Sequence, residues 1–227
     1  MKIDVPFPHG SLLVSCQAKP PNPLHGPETM ALMARAAEAG NAAGIRANGP
    51  DDVAAIRGVT ELPIIGINKI GDPAGVFITP TPAAAAAVVE AGATMVAIDG
   101  TDRPRPDGRS LAEHVDAIHA DLQVAVMADV DTVANGEYAR AGGADVVAST
   151  LSGYTAGTER TNAPDVELVA ELARRLDCPI VAEGRYWTRS DVAAALTAGA
   201  YAVIVGTAIT NPMEITKRLA AVTPTAG

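Results

Sequence analysis

Short apolar runs alternate along the whole chain with stretches whose apolar residues fall three and four apart. One set of runs covers residues 12–17, 63–69, 124–129 and 179–183, ending in Gln17, Lys69, Asp129 and Glu183. A second set follows an alanine-glycine pair each time. Ala39-Gly40 precedes residues 43–46, Ala91-Gly92 precedes 95–99, Ala141-Gly142 precedes 146–150, and Ala198-Gly199 precedes 202–206. Near-continuous apolar runs of this length read as strands buried on both faces. The glycine suits the left-handed position that closes a helix, where a β-carbon would clash. The pairs recur roughly every fifty residues, so the chain is an internal repeat of strand-helix units. Helical spacing covers residues 27–39, 83–91, 111–120, 133–141, 164–176, 190–198 and 212–221. Pro27, Pro164 and Pro212 fit a first helical position, and Asp131 and Ser190 read as N-caps.

Eight strands alternating with helices predict a (β/α)8 TIM barrel, one α/β domain over residues 1–227. The competing fold is an open doubly wound sheet. It would carry a glycine-rich dinucleotide fingerprint after the first strand, and Cys16-Gln17-Ala18-Lys19-Pro20-Pro21 is unlike one. Two irregular stretches, 71–80 and 153–162, fall after the third and sixth strands, at the face where binding loops belong.

Composition narrows the partners. Apolar residues make up 48% of the chain and aromatics 3%, so the core is aliphatic. A net charge of −9 argues against a nucleic-acid or anionic-membrane surface, so an anionic ligand must be held by local groups. Cys16 and Cys178 lack metal spacing, and His9, His25, His114 and His119 share none, so no metal is expected. No apolar segment is long enough to span a bilayer, and the opening Met1-Lys2-Ile3-Asp4-Val5-Pro6 lacks a signal peptide's apolar run. The expected setting is a reduced cytoplasm. A barrel of this kind can form a homodimer, though no sequence feature marks the partner face.

Alternation along a strand places Gln17, Lys69, Asp129 and Glu183 in one interior layer at the carboxyl end of the barrel, above Ser15, Ile67, Met127 and Val181. Four polar groups there have no use in folding, since burying them unpaired is costly. The third and seventh strands face each other, so Lys69 and Glu183 approach a bound molecule from opposite sides. That arrangement suits removal and return of a proton at one carbon. Burial and the charge of Arg46 push the lysine pKa down from its usual value, against the pull of Asp129 and Glu183. The plain alternative is a salt bridge between Lys69 and one of those carboxylates. Phosphate is expected at the last two strand-loop junctions, Gly184-Arg185 and Gly206-Thr207.

The runs Val14-Ser15-Cys16-Gln17-Ala18, Gly44-Ile45-Arg46-Ala47-Asn48, Met127-Ala128-Asp129, Thr150-Leu151-Ser152-Gly153-Tyr154-Thr155, Ala182-Glu183-Gly184-Arg185 and Val205-Gly206-Thr207-Ala208-Ile209-Thr210 resemble the N-acetylmannosamine-6-phosphate 2-epimerases, in order and over nearly the whole chain. The resemblance implies a cofactor-independent isomerase of amino-sugar and sialic-acid catabolism. It would convert N-acetylmannosamine 6-phosphate to N-acetylglucosamine 6-phosphate. Lys69 and Glu183 would be the catalytic pair, with Gln17, Arg46 and Asp129 holding the sugar. Lys69 would serve proton transfer at C2, and Glu183 the second proton or ring opening. Thr150 and Asn211 complete the expected substrate contacts. The chain departs from the family pattern at Ile70-Gly71-Asp72 and at Asn211, where the family commonly has arginine. Two other readings keep the barrel. One is a lyase in which Lys69 forms a Schiff base with a sugar phosphate. The other is a regulator that binds a sugar phosphate without turnover.

Overall fold

The computed structural model describes residues 4–224. Eight parallel strands close on themselves in sequence order: β1 (Ser11–Cys16), β2 (Ile45–Asn48), β3 (Ile64–Ile67), β4 (Met95–Asp99), β5 (Ala125–Asp129), β6 (Val146–Ala148), β7 (Ile180–Glu183) and β8 (Ala202–Val205). β8 pairs with β1, Ser11 opposite Ala202, and that pairing closes the ring. Closure rules out the open sheet. The expected single-domain barrel is present, and only its bounds at residues 1–3 and 225–227 lie outside the described residues.

Among the described residues nine α-helices pack outside: α1 (Pro27–Ala39), α2 (Pro50–Arg57), α3 (Pro82–Glu90), α4 (Leu111–Leu122), α5 (Val133–Ala141), α6 (Val166–Arg175), α7 (Arg189–Thr197), the short α8 (Thr207–Thr210) and α9 (Pro212–Ala220). Of these, α2 and α8 lie outside the predicted helical stretches. α2 has only Val53 and Ile56 buried, too few for a periodic signal, although Gly49-Pro50 opens it and Arg57 closes it. Caps shift too. Thr132 and Thr188, not Asp131 and Ser190, accept the bonds that open α5 and α7. Pro164 precedes the α6 cap, Asp165, instead of starting the helix. The Ala-Gly pairs divide in two. Gly92 (φ 110°) and Gly199 (φ 100°) take the left-handed position, while after α1 and α5 it falls one residue later, on Asn41 (φ 65°) and Gly143 (φ 96°).

The core has two shells. Inside the ring lie Leu13, Ile65, Ile67, Met95, Met127, Val181 and Ile204, all nearly or fully buried. Between ring and helices lies a larger shell, with Val14, Ile45, Ile64, Val96, Leu172 and Val203 among its members. Each such side chain contributes about 1.5–3 kcal/mol on burial. Alternation sorts the two shells, and it fixes what points inward at the carboxyl end. Ile45 and Ala47 belong to the outer shell, so Arg46 between them must face in.

Candidate active site

The centre of the site is a closed ionic cluster. Arg46, 1% exposed, stands opposite Ser15 in the β1–β2 register and points across the barrel. Its Nη1 donates to Asp129 Oδ1 at 3.0 Å and its Nη2 to Asp129 Oδ2 at 2.5 Å, a bidentate pair. Nη1 also pairs with Glu183 Oε2. The Thr150 hydroxyl lies 2.7 Å from Asp129 Oδ1 and 3.1 Å from Glu183 Oε2. Asp129 is fully enclosed, with both oxygens engaged. Expected against the sugar, it is instead turned onto the guanidinium and orients it. Glu183 keeps 13% exposure and bonds through Oε2, so Oε1 is the oxygen left to face the chamber. Burial raises the Glu183 pKa; Arg46 opposes that, and Asp129 adds to it.

The opposite wall is built differently. Lys69 lies two residues past β3, at an isolated antiparallel bridge to Ile78 that doubles the 70–78 segment back. Asn48 Oδ1 accepts from its backbone N–H at 3.0 Å. Its Nζ donates to Gln17 Oε1 at 2.7 Å, and the Gln17 amide nitrogen donates to Ser15 Oγ at 2.8 Å. The salt bridge that would have left Lys69 inert is absent among the described residues; the carboxylates pair with Arg46 instead. Lys69 looks out through the open mouth of the barrel yet is ringed by protein on its other sides. Burial, then the charge of Arg46, pushes its pKa down to about 8, against Glu183 and Asp129.

Gln17, Arg46, Lys69, Asp129, Thr150 and Glu183 are therefore brought together at one end of the barrel. Of the phosphate candidates, Gly184 (φ 111°) and Arg185 (φ 63°) make the sharp exit from β7 in left-handed conformations. That turn aims the Arg185 guanidinium away from the chamber. It donates to Ala163 O at 2.7 Å and Ser152 O at 2.5 Å and lies over the Tyr154 ring, holding the 153–163 loop. Gly206 sits where a Cβ would come within 3.2 Å of Ser15 Cβ, so the end of β8 lies tight against β1. Thr207 opens α8, and Asn211 caps α9 through Oδ1. No group of three or more His, Cys, Asp or Glu among the described residues is placed to hold a metal ion.

A family model described as "NanE: Putative N-acetylmannosamine-6-phosphate epimerase" matches residues 30–224. The chain belongs to this epimerase family. It is 48% identical over 209 residues to the "Putative N-acetylmannosamine-6-phosphate 2-epimerase" of Cutibacterium acnes, covering 91% of each chain. Its identity to the protein of the same description from Caldanaerobacter subterraneus is 47%, over 91% of this chain and 88% of that one. The solved N-acetylmannosamine-6-phosphate 2-epimerase from Clostridium perfringens superposes with a TM-score of 0.92 at 42% identity, over 96% of this chain and 95% of that one. A thiamine phosphate pyrophosphorylase from Pyrococcus furiosus, 16% identical with a TM-score of 0.61, shares the fold alone.

Within this epimerase-family barrel one inward carboxylate escaped the sequence reading. Asp99 ends β4 with the parity of Met95 and Ala97, and its side chain is fully enclosed. It accepts from Thr101 Oγ1 and Arg103 Nη2, each at 2.6 Å, and its N–H donates to Ile78 O. Asp99 thus ties the 70–78 segment and the 101–105 loop to the barrel. Applying the strand-end rule to the even strands as well as the odd ones finds it.

Proposed function

We propose that this chain interconverts N-acetylmannosamine 6-phosphate and N-acetylglucosamine 6-phosphate by moving a proton at C2, with Lys69 and Glu183 acting from opposite faces. The observation that carries this reading is the pair itself. β3 and β7 stand opposite in the closed ring, and they deliver an amine pushed down to about 8 and a carboxyl group pushed up. An amine whose pKa lies near the working pH and a carboxyl group whose pKa burial raises are partners between which a proton can be exchanged through the substrate.

In the open-chain sugar the C2–H is already acidified by the C1 aldehyde, so the chemistry requires no cofactor. Neutral Lys69 takes the C2 proton, and the electron pair moves into an enolate across C1 and C2. Glu183, through Oε1, returns a proton to the other face and inverts the centre. In the reverse direction the roles exchange: glutamate is the base and the ammonium the acid. The Lys69 ammonium, once formed, faces the developing negative charge, and Arg46, enclosed behind Glu183, adds the field of its positive charge. Gln17 holds Lys69, and Gly184, Gly206 and Thr207 border the phosphate end.

The test is proton NMR in deuterated water with the manno substrate. Wild-type protein should give the gluco isomer with deuterium at C2 alone. Lys69→Ala should lower both exchange and conversion by about 10²- to 10⁴-fold. Glu183→Gln should separate the two, keeping C2 exchange in the manno sugar within about tenfold while conversion falls about 10²- to 10⁴-fold. Wild-type conversion by Glu183→Gln would end the two-sided mechanism.

A further inference from the structure

A phosphorylated substrate brings a second problem to this chamber. Its phosphate is a dianion, the chain is at −9, and Asp129 and Glu183 already stand inside. Long-range attraction is therefore missing, and a local cation has to supply it. Most arginines at this end are engaged. Arg46 is enclosed with its two carboxylates, Arg103 is paired with Asp99, and Arg185 holds two loop carbonyls. Asn211 carries no charge, and its Oδ1 is occupied by the α9 cap and by Asn22.

Lys19, Arg160 and Arg189 remain, exposed and without a salt bridge or side-chain hydrogen bond among the described residues, and of the three Lys19 is the one whose charge acts on Lys69. Lys19 follows by two residues the Gln17 whose amide oxygen holds Lys69 Nζ at 2.7 Å. The loop that bears it, and the β1 strand before it, are stitched to the segment that follows the neighbouring strand β8. Asn22 Nδ2 donates to Asn211 Oδ1 at 3.1 Å, and Thr210 Oγ1 donates to the Ser15 carbonyl at 2.8 Å. Lys19 consequently stands on the rim between the reacting lysine and the turn after β8. Its charge reaches Lys69, where it is one of the groups that lower the pKa. On a hexose chain whose C2 meets Lys69, a C6 phosphate lies at the far end from the reacting carbon, so the cation that holds it is one outside the proton-transfer pair.

We propose that Lys19 is the phosphate-recognising cation of this site, supplying at the β1–α1 loop the charge that position 211 lacks. The proposal rests on the epimerase reading for the identity of the ligand, not for its test. Lys19 acts in binding, with no part in the proton transfers, and so governs KM more than kcat.

Two measurements on Lys19→Met and Lys19→Arg decide it. In steady-state kinetics with N-acetylmannosamine 6-phosphate, Lys19→Met should raise KM about 10- to 100-fold, the loss of one charged hydrogen-bonding partner. Its kcat should stay within about threefold, and Lys19→Arg should restore most of the loss, which a merely structural defect would not allow. Calorimetric titration with inorganic phosphate needs no turnover, and Lys19→Met should weaken that binding by a similar factor. Unchanged KM, or unchanged phosphate binding, in Lys19→Met overturns the proposal. A wild-type protein that binds phosphate through Lys19 yet exchanges no C2 proton overturns the epimerase mechanism and leaves Lys19 standing.

Discussion

The two walls of the chamber are built on different principles. On the β7 side Glu183 ends a regular strand and is pinned through one oxygen by a guanidinium that Asp129 holds bidentately. On the β3 side Lys69 lies beyond the strand, on an irregular segment, and its ammonium is held by a single hydrogen bond to Gln17. A carboxyl group of fixed position thus faces a flexible side chain whose proton affinity is set by its surroundings. One wall is preorganised by charge, the other tuned by desolvation. Perturbing the first should damage the fold; perturbing the second should mainly move the chemistry.

The largest effect is expected on the pinned wall. Arg46→Met removes the cation and leaves Asp129 and Glu183 enclosed side by side. Breaking a buried ion pair from one partner costs about 3–5 kcal/mol. Chemical denaturation at neutral pH should show that loss, together with loss of epimerisation. Lower pH should recover part of the stability, because the stranded carboxylates can then take up protons. A variant as stable as wild type would mean that the cluster is less dry than its enclosure indicates.

The next effect tests how the walls cooperate. Neutral Lys69 with protonated Glu183, and ammonium Lys69 with ionised Glu183, hold the same number of protons. Both directions therefore share one bell-shaped dependence of kcat/KM on pH. The last proton leaves the pair near the Lys69 value, about 8, so kcat/KM should fall tenfold per unit as pH rises beyond it. If Lys69 alone removed and returned the proton, neutral lysine would be needed in both directions. The sign would then invert, with activity rising through about 8. The alkaline limb separates the two schemes.

Much of this was legible from the chain alone, for a definite reason. Strand alternation is local, so Gln17, Lys69, Asp129 and Glu183 could be placed on one face before any contact was known, as could the direction of the Lys69 shift. Arg46 was read at the end of its strand; it lies second in β2, and its length carries it to the top layer. What escaped depends on partners far away in sequence. Arg185 is turned aside by carbonyls 22 and 33 residues distant, and Asn211 is tied to Asn22 across 189 residues. Nothing local to Gly184-Arg185 shows that the guanidinium is already engaged. Lys19 and Asp99 went unnoticed because one lies past its strand and the other ends an even one.

The smallest expected effect reaches Lys69 at one remove. Ser15 Oγ accepts from Gln17 Nε2, and that bond fixes which end of the amide faces the ammonium. With Oε1 toward Lys69, the amide favours the protonated lysine; with its NH2 there, it would favour the neutral one. Ser15→Ala keeps the β-carbon that packs against Gly206, so stability should hardly change. It removes the bond that prevents the amide from turning over. A net hydrogen bond of about 0.5–1.5 kcal/mol corresponds to a fall in kcat of about two- to twelvefold. The alkaline limb should move down, since the protonated lysine loses part of its support. If rate and limb both stay at wild-type values, Lys69 is positioned by its backbone alone, and the contrast between the walls is sharper than the Ser15–Gln17–Lys69 chain makes it.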